Sequence, residues 1–164
     1  MRRRQGGRSR FALGLGIAAL VVALDQLSKW ALLTYVMAPP HTVAVTSFFN
    51  LVLAWNRGIS FSLMPDGGGL GPYLLSGLAL VIAAGLLVWL RGIERVFLAA
   101  AIGLVLGGAV GNVIDRLRFG AVTDFLDFHL FGWHWYAFNV ADSGISVGVA
   151  LILIDGLFHR PRPA

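Results

Sequence analysis

Cysteine is missing from all 164 residues, which removes disulfides, thiol nucleophiles and thiolate metal sites. Charge is scarce too. Asp, Glu, Lys and Arg make up 13% of the chain, about half the usual share of a soluble domain. Acids are the scarcer sign, with eight against thirteen basic residues. With a mean hydropathy of +0.78, such a chain cannot clothe a water-facing surface. Its isoelectric point near 10.7 would suit a nucleic-acid partner. The arginines, however, cluster at the ends of apolar segments, where a membrane orientation signal explains them better. No nucleic acid is therefore expected, and membrane lipids are.

What is abundant is apolar sequence, 57% of the residues. Runs of about 20 recur, the length a helix needs to cross a bilayer. They predict an all-α polytopic membrane protein, a single domain over residues 1–164, with transmembrane helices at 11–35, 73–90, 96–117 and 139–158. Residues 1–10 read as a disordered basic arm. The run behind them is too long for a signal peptide and lacks a small-residue cleavage site, so it reads as an uncleaved first helix. Pro39 and Pro40 end that helix, since proline cannot continue its hydrogen bonding. Residues 41–63 partly alternate and are rich in β-branched and aromatic side chains, which predicts a small extracytoplasmic β-ribbon. Pro65 to Gly69 reads as a flexible loop. Residues 73–90 carry no ionisable group beyond Tyr73 and read as a lipid-facing span. Gly103, Gly107 and Gly111 recur every four residues, a ridge that lets another helix come close. Residues 118–136 read as an outer interfacial connection, partly an amphipathic helix on which Asp124 and Asp127 share a face.

The arginines fix an orientation. Nine of the thirteen basic residues fall in the N-terminal arm, the 91–95 turn and the C-terminal tail, so both termini are expected on the cytoplasmic side. Asp25, Asn56, Asn112, Arg116, Asp124, Asn139 and Asp142 then converge on the opposite face. Asp25 and Lys29 are four apart and meet on one helical face, as a structural ion pair or as part of the site. Asn56 opens an Asn-Arg-Gly turn, and serves as a turn residue or presents its amide to a peptide. Asp115 reads as a neutraliser of the adjacent Arg116, and Asp155 as a partner for arginines at the inner end. His129 and His134 lack the spacing of a tight ligand set, so neither metal nor cofactor is expected.

An Asp at the centre of a membrane helix costs about 2.5–3.5 kcal/mol on insertion scales, so acids kept beside the hydrocarbon invite a functional reading. Asp124 and Asp142 both fall at the outer boundary. Two carboxylates in one site tend to share one proton, which makes one a base and the other an acid at the same pH. That suits hydrolysis of a peptide bond by an activated water. Two other readings are a small proton-coupled transporter and a non-catalytic membrane assembly protein built on the glycine ridge. The first lacks a path of acids across the bilayer, and the second has no use for the two aspartates.

Five blocks in order carry a resemblance: Asp25-Gln26-Leu27-Ser28-Lys29; Asn56-Arg57-Gly58-Ile59-Ser60-Phe61-Ser62; Gly107-Gly108-Ala109-Val110-Gly111-Asn112-Val113-Ile114-Asp115-Arg116; Gly120-Ala121-Val122-Thr123-Asp124-Phe125; and Phe138-Asn139-Val140-Ala141-Asp142-Ser143. Together they resemble the lipoprotein signal peptidases, or signal peptidase II, integral aspartic endopeptidases of the bacterial inner membrane. The resemblance implies that Asp124 and Asp142 are the catalytic dyad. It implies that Asn56, Asn112, Arg116 and Asn139 bind substrate, with Asp25 and Lys29 in support. The implied substrate is a lipid-modified prolipoprotein, cut on the amino side of a diacylglyceryl cysteine. Arg57 and Tyr136 depart from the family pattern beside the motifs, not within the dyad.

Overall fold

The computed structural model describes residues 2–58 and 70–158. The expected loop at Pro65–Gly69, the end of the expected ribbon and the C-terminal tail lie outside them. Among the described residues, four helices are long and apolar enough to cross a membrane. They are α1 (Arg2–Ala31), continued by a π-helical turn over Leu32–Val36, α2 (Gly71–Arg91), α3 (Val96–Phe119) and α4 (Val140–Phe158). The apolar spans, Ser9–Val36 in the first helix and the whole of the other three, begin and end within two residues of those expected, because the end of a hydrophobic run is also where the helix stops being solvated by lipid. One correction concerns residues 2–10, which continue α1 as helix and do not form a disordered arm. Extending a helix already nucleated by the span behind it is far easier than starting one.

Helix α3 is the centre of the bundle. Two-thirds of its apolar window is buried (67%), against 17–22% for the other three. Its glycines explain how neighbours approach so closely. A Cβ on Gly103 would stand 2.5 Å from the Gly14 carbonyl oxygen of α1, and one on Gly107 would stand 2.6 Å from that of Ala18. On the other side, a Cβ on Gly108 would overlap the Ala141 carbonyl oxygen of α4. The ridge read from the four-residue spacing thus packs α3 against α1, and Gly108 and Gly148 do the same against α4. Helix α3 stops at Gly120, whose left-handed φ of 69° and N–H···O bond to Arg116 (3.0 Å) form a glycine C-cap. At the other end of the bundle Arg95 pairs with the buried Asp155.

The segment expected as partly helical is a strand. Val122–Leu130 forms β3, which joins β1 (Val43–Thr46), β2 (Phe49–Asn56) and β4 (Trp133–His134) in an antiparallel sheet of order β1-β2-β3-β4. The expected ribbon is therefore one edge of a larger sheet. Val122, Thr123, Phe125 and Phe128 are residues that favour a pleated surface, and β2 supplies the partner. The change of element also changes the acids. Three apart in a strand, Asp124 and Asp127 point to opposite faces. Asp127 instead meets its cross-strand partner Asn50 (3.0 Å) and His134 Nδ1 (2.9 Å), whose ring stacks on His129.

The β3–β4 turn has φ of 50° at Phe131 and 82° at Gly132, the paired positive angles that suit a two-residue hairpin. It leaves Phe131 fully exposed, with Trp133, Trp135 and Tyr136 close behind.

Candidate active site

The site assembles where β2, β3, α3 and α4 meet. Asn139 is the N-cap of α4. Its Oδ1 accepts the Asp142 N–H (2.9 Å), and the Asp142 carboxylate reaches back to the Asn139 N–H (3.3 Å). This reciprocal capping arrangement satisfies two amide donors that a helix start leaves free. It also leaves the Asn139 amide group free to act elsewhere. Its Nδ2 donates to Asp124 Oδ1 at 2.7 Å and to Asn112 Oδ1 at 3.3 Å. Asn139 therefore donates to both acids, through its side chain to Asp124 and through its backbone to Asp142. The second Asp142 oxygen accepts Asn112 Nδ2 from α3 at 2.7 Å.

The second Asp124 oxygen accepts Asn56 Nδ2 at 3.0 Å. Register explains how Asn56 gets there. Leu51 pairs with Leu126, but Ala54 pairs with Asp124, so β2 carries one extra residue between them. That bulge puts Ala54 and Asn56 on the face of Asp124. Without it Trp55 would stand on that face, because a one-residue slip exchanges the two sides of a strand. Asn56 also fills its turn role, since its Oδ1 accepts the Gly58 N–H at 2.9 Å and Gly58 turns the chain at φ 93°. Both readings of this residue hold at once.

Asp124 is 2% exposed. Burial pushes its carboxyl up to about 6, because a charge is poorly solvated there. The Asn56 and Asn139 hydrogen bonds pull the other way by stabilising the ionised form, and the negative charge of Asp142 adds to the rise.

Arg116 lies on the same side of α3 as Asn112. With Asp142 these two form the polar end of a cavity of about 310 Å³, whose apolar walls are Ala79, Ile82, Val105, Ala109 and Ile145. Arg116 Nε is buried and has no hydrogen-bond partner among the described residues, so a donor stands ready beside the acids. Ala79 and Ile82 come from α2, so that helix is a wall of the cavity as well as a lipid-facing span. Its lack of polar residues gave no sign of this. A wider groove of about 510 Å³ on the sheet is lined by Phe48, Phe128 and Trp133 among others, with none of the site residues.

Asp25 and Lys29 form the expected pair, Nζ to Oδ2 at 2.8 Å. They are almost wholly buried and reach further than that spacing implied. Lys29 also meets Asp115 Oδ2 at 2.9 Å, so Asp115 takes Lys29 as its cation where Arg116 was expected. Seven of the eight residues singled out from sequence thus belong to one hydrogen-bonded cluster, and Arg116 borders it. Asp115 and Gln26 were missed as members. Gln26 Nε2 bridges Asp25 (3.1 Å) and Asp115 (2.9 Å). The available signal was that a second acid inside a span needs its own partner.

A family model described as signal peptidase (SPase) II matches residues 17–158. The chain is 47% identical over 156 residues to a lipoprotein signal peptidase of Ralstonia nicotianae, a match covering 94% of this chain and 89% of the other. It is 43% identical over 151 residues to one of a Methylobacterium species, covering 92% of each. Among solved structures it is similar to a bacterial membrane enzyme determined by the in meso method at 1.9 Å resolution. There the TM-score is 0.78 and the identity 30%, over 90% of this chain and 94% of that one.

Proposed function

The chain belongs to the lipoprotein signal peptidase (signal peptidase II) family, a multi-pass membrane peptidase that removes signal peptides from prolipoproteins, and we propose that Asp124 and Asp142 are the dyad that performs the cut. The observation that carries the reading is the double hydrogen bonding of Asn139, which donates to both carboxylates at the polar end of a cavity with apolar walls. One aspartate, ionised, takes a proton from water while the water oxygen attacks the scissile carbonyl carbon. The other, protonated, hydrogen-bonds the carbonyl oxygen. The carbon–nitrogen bond then breaks, and the amine leaves with a proton from the dyad. The free Arg116 Nε–H and the asparagine amides hold the peptide for this attack.

The substrate in this reading is a prolipoprotein whose cysteine already carries a diacylglyceryl group, cleaved on the amino side of that cysteine. Its acyl chains stay in the lipid, and its apolar side chains meet Ala79, Ile82 and Ile145. The site lies at the extracytoplasmic face of the bacterial inner membrane, with both termini cytoplasmic. The arginine distribution supports that orientation. The exposed aromatics at 131–136 suit a membrane interface.

A reconstituted assay tests substrate and orientation together. Purified protein in lipid vesicles is given a diacylglyceryl-modified precursor and its unmodified form. Orientation is scored with a membrane-impermeant thiol label at a cysteine introduced by Tyr136→Cys, the chain having none of its own. We expect cleavage of the modified precursor only, on the side where position 136 labels. Equal cleavage of both forms removes the lipid requirement, and cleavage on the opposite side reverses the topology.

A pH profile tests the environment of Asp124. Removing the Asn56 hydrogen bond leaves the protonated carboxyl favoured to higher pH, because that bond stabilises the ionised form. Asn56→Ala should therefore move the alkaline limb of kcat/KM upward from its wild-type position and lower kcat about tenfold, the worth of one hydrogen bond to a charge. A limb that stays put or moves down disconnects Asn56 from the titration of Asp124.

A further inference from the structure

Behind the dyad lies a buried cluster that the chemistry above does not use. Lys29, Asp25 and Asp115 are 3%, 0% and 1% exposed. The Lys29 ammonium has three protons to donate and three acceptors around it: Asp25 Oδ2 at 2.8 Å, Asp115 Oδ2 at 2.9 Å and Asn112 Oδ1 at 3.5 Å. The two carboxylates have further partners. Asp25 Oδ1 accepts the backbone N–H of Ala141 at 2.9 Å. Asp115 Oδ2 accepts that of Thr123, also at 2.9 Å. Ala141 immediately precedes Asp142, and Thr123 immediately precedes Asp124.

We propose that Asp115 and Asp25, clasped by the single ammonium of Lys29, are positioning residues that fix the backbone ahead of each catalytic aspartate relative to the other. The proposal rests on the reading of Asp124 and Asp142 as the dyad. Neutralising charge inside a membrane span requires only that Lys29 meet a carboxylate. It does not require each carboxylate to hold the amide one residue before a member of the pair. Asp25 lies on α1 and Asp115 on α3, while the amides belong to α4 and β3. One cation therefore ties together four elements. Gln26 bridges the same two acids, and Gly111 leaves room for the Asp25 carboxylate, where a Cβ would stand 2.7 Å from Oδ2. Buried polar networks of this kind are stiff when every member is satisfied. A displacement of about 1 Å at a reacting group costs on the order of a hundredfold in rate.

Two substitutions at one position separate positioning from charge balance. Asp115→Asn keeps an acceptor where the Thr123 amide needs it and leaves Lys29 balanced by Asp25. Asp115→Glu keeps the charge and moves the acceptor by one methylene. Positioning predicts that Glu is the more damaging: kcat per folded molecule falls ten- to a hundredfold with KM within threefold of wild type, while Asn keeps the greater part of kcat. Charge balance predicts the reverse order, with Glu restoring wild-type kcat. The same order is expected independently at Asp25, through the Ala141 amide. The measurement is steady-state cleavage of the diacylglyceryl precursor in micelles, normalised to the folded fraction by thermal unfolding. Wild-type kcat in the Glu variants, or a loss expressed entirely in KM, overturns the proposal. So does a failure of all four variants to accumulate folded, since positioning alone leaves the fold standing. Asp124→Asn in the same assay keeps the two claims apart, because normal turnover there removes the dyad itself.

Discussion

Asp124→Asn and Asp142→Asn should each lower turnover of a diacylglyceryl precursor by at least about a thousandfold, with the protein still inserted and folded. The size follows from what is lost. Positioned acid–base groups contribute on the order of 10²–10⁴ each, and here each aspartate must alternately hold and release a proton. The asparagine side chain matches the shape of the carboxyl and accepts a hydrogen bond, but it cannot take a proton from water. The surroundings give up only one hydrogen bond in each case, since the new amide oxygen keeps one donor and the new amide nitrogen displaces the other. That costs about 1–3 kcal/mol and leaves the fold standing. The double variant should be scarcely worse than either single one, because groups that act as a unit are not additive. The check is single-turnover cleavage by purified variants beside their thermal unfolding curves. Substantial cleavage by either single variant ends the dyad reading.

A single methyl group should also do great harm without altering either carboxylate. In Gly108→Ala the added Cβ overlaps the carbonyl oxygen of Ala141 and stands 2.7 Å from Ile145 Cγ1. The first obstacle is backbone, which cannot rotate away as the end of a side chain can. Helix α4 has to move, and it carries Asp142 on the residue next to the contact. We expect a clear drop in unfolding temperature and at least about a hundredfold loss of kcat, in line with the penalty for ångström-scale misplacement. Gly85→Ala in α2 is the control, since nothing lies within 4 Å of its Cβ. Alanine is the better helix former, so that variant should be neutral or slightly more stable. Equal behaviour of the two variants, by thermal unfolding and cleavage, shows that α3 and α4 do not depend on this close approach.

These two cases mark what the sequence made legible. Long apolar runs and arginine clusters report directly on lipid, so the four spans were readable. The glycine spacing was readable as packing, because close helix contact leaves few other residues possible. The strand β3 was not readable. Alternating Val, Thr and Phe with acids three apart fits an amphipathic helix as well as a strand, and only pairing with β2, some seventy residues earlier, decides it. The partner of Asp115 was hidden in the same way. Arg116 is adjacent in sequence, while Lys29, on another helix, is adjacent in space. The cavity wall on α2 left no mark at all, since an apolar residue facing a substrate looks like one facing lipid.

The extra residue in β2 sets a rule about chain length. Asn56 reaches Asp124 only by parity: from Ala54 it is an even step along the strand, and Trp55 is an odd one. Adding one residue between Leu51 and Ala54, with the bulge still absorbing only one, would pair Ala54 with Thr123. It would present an indole to the carboxylate in place of the amide, although every side chain in the site would still be encoded. Removing one would only flatten the bulge and leave Asn56 opposite Val122. Between Leu51 and Asn56 an added residue therefore matters as much as a changed one.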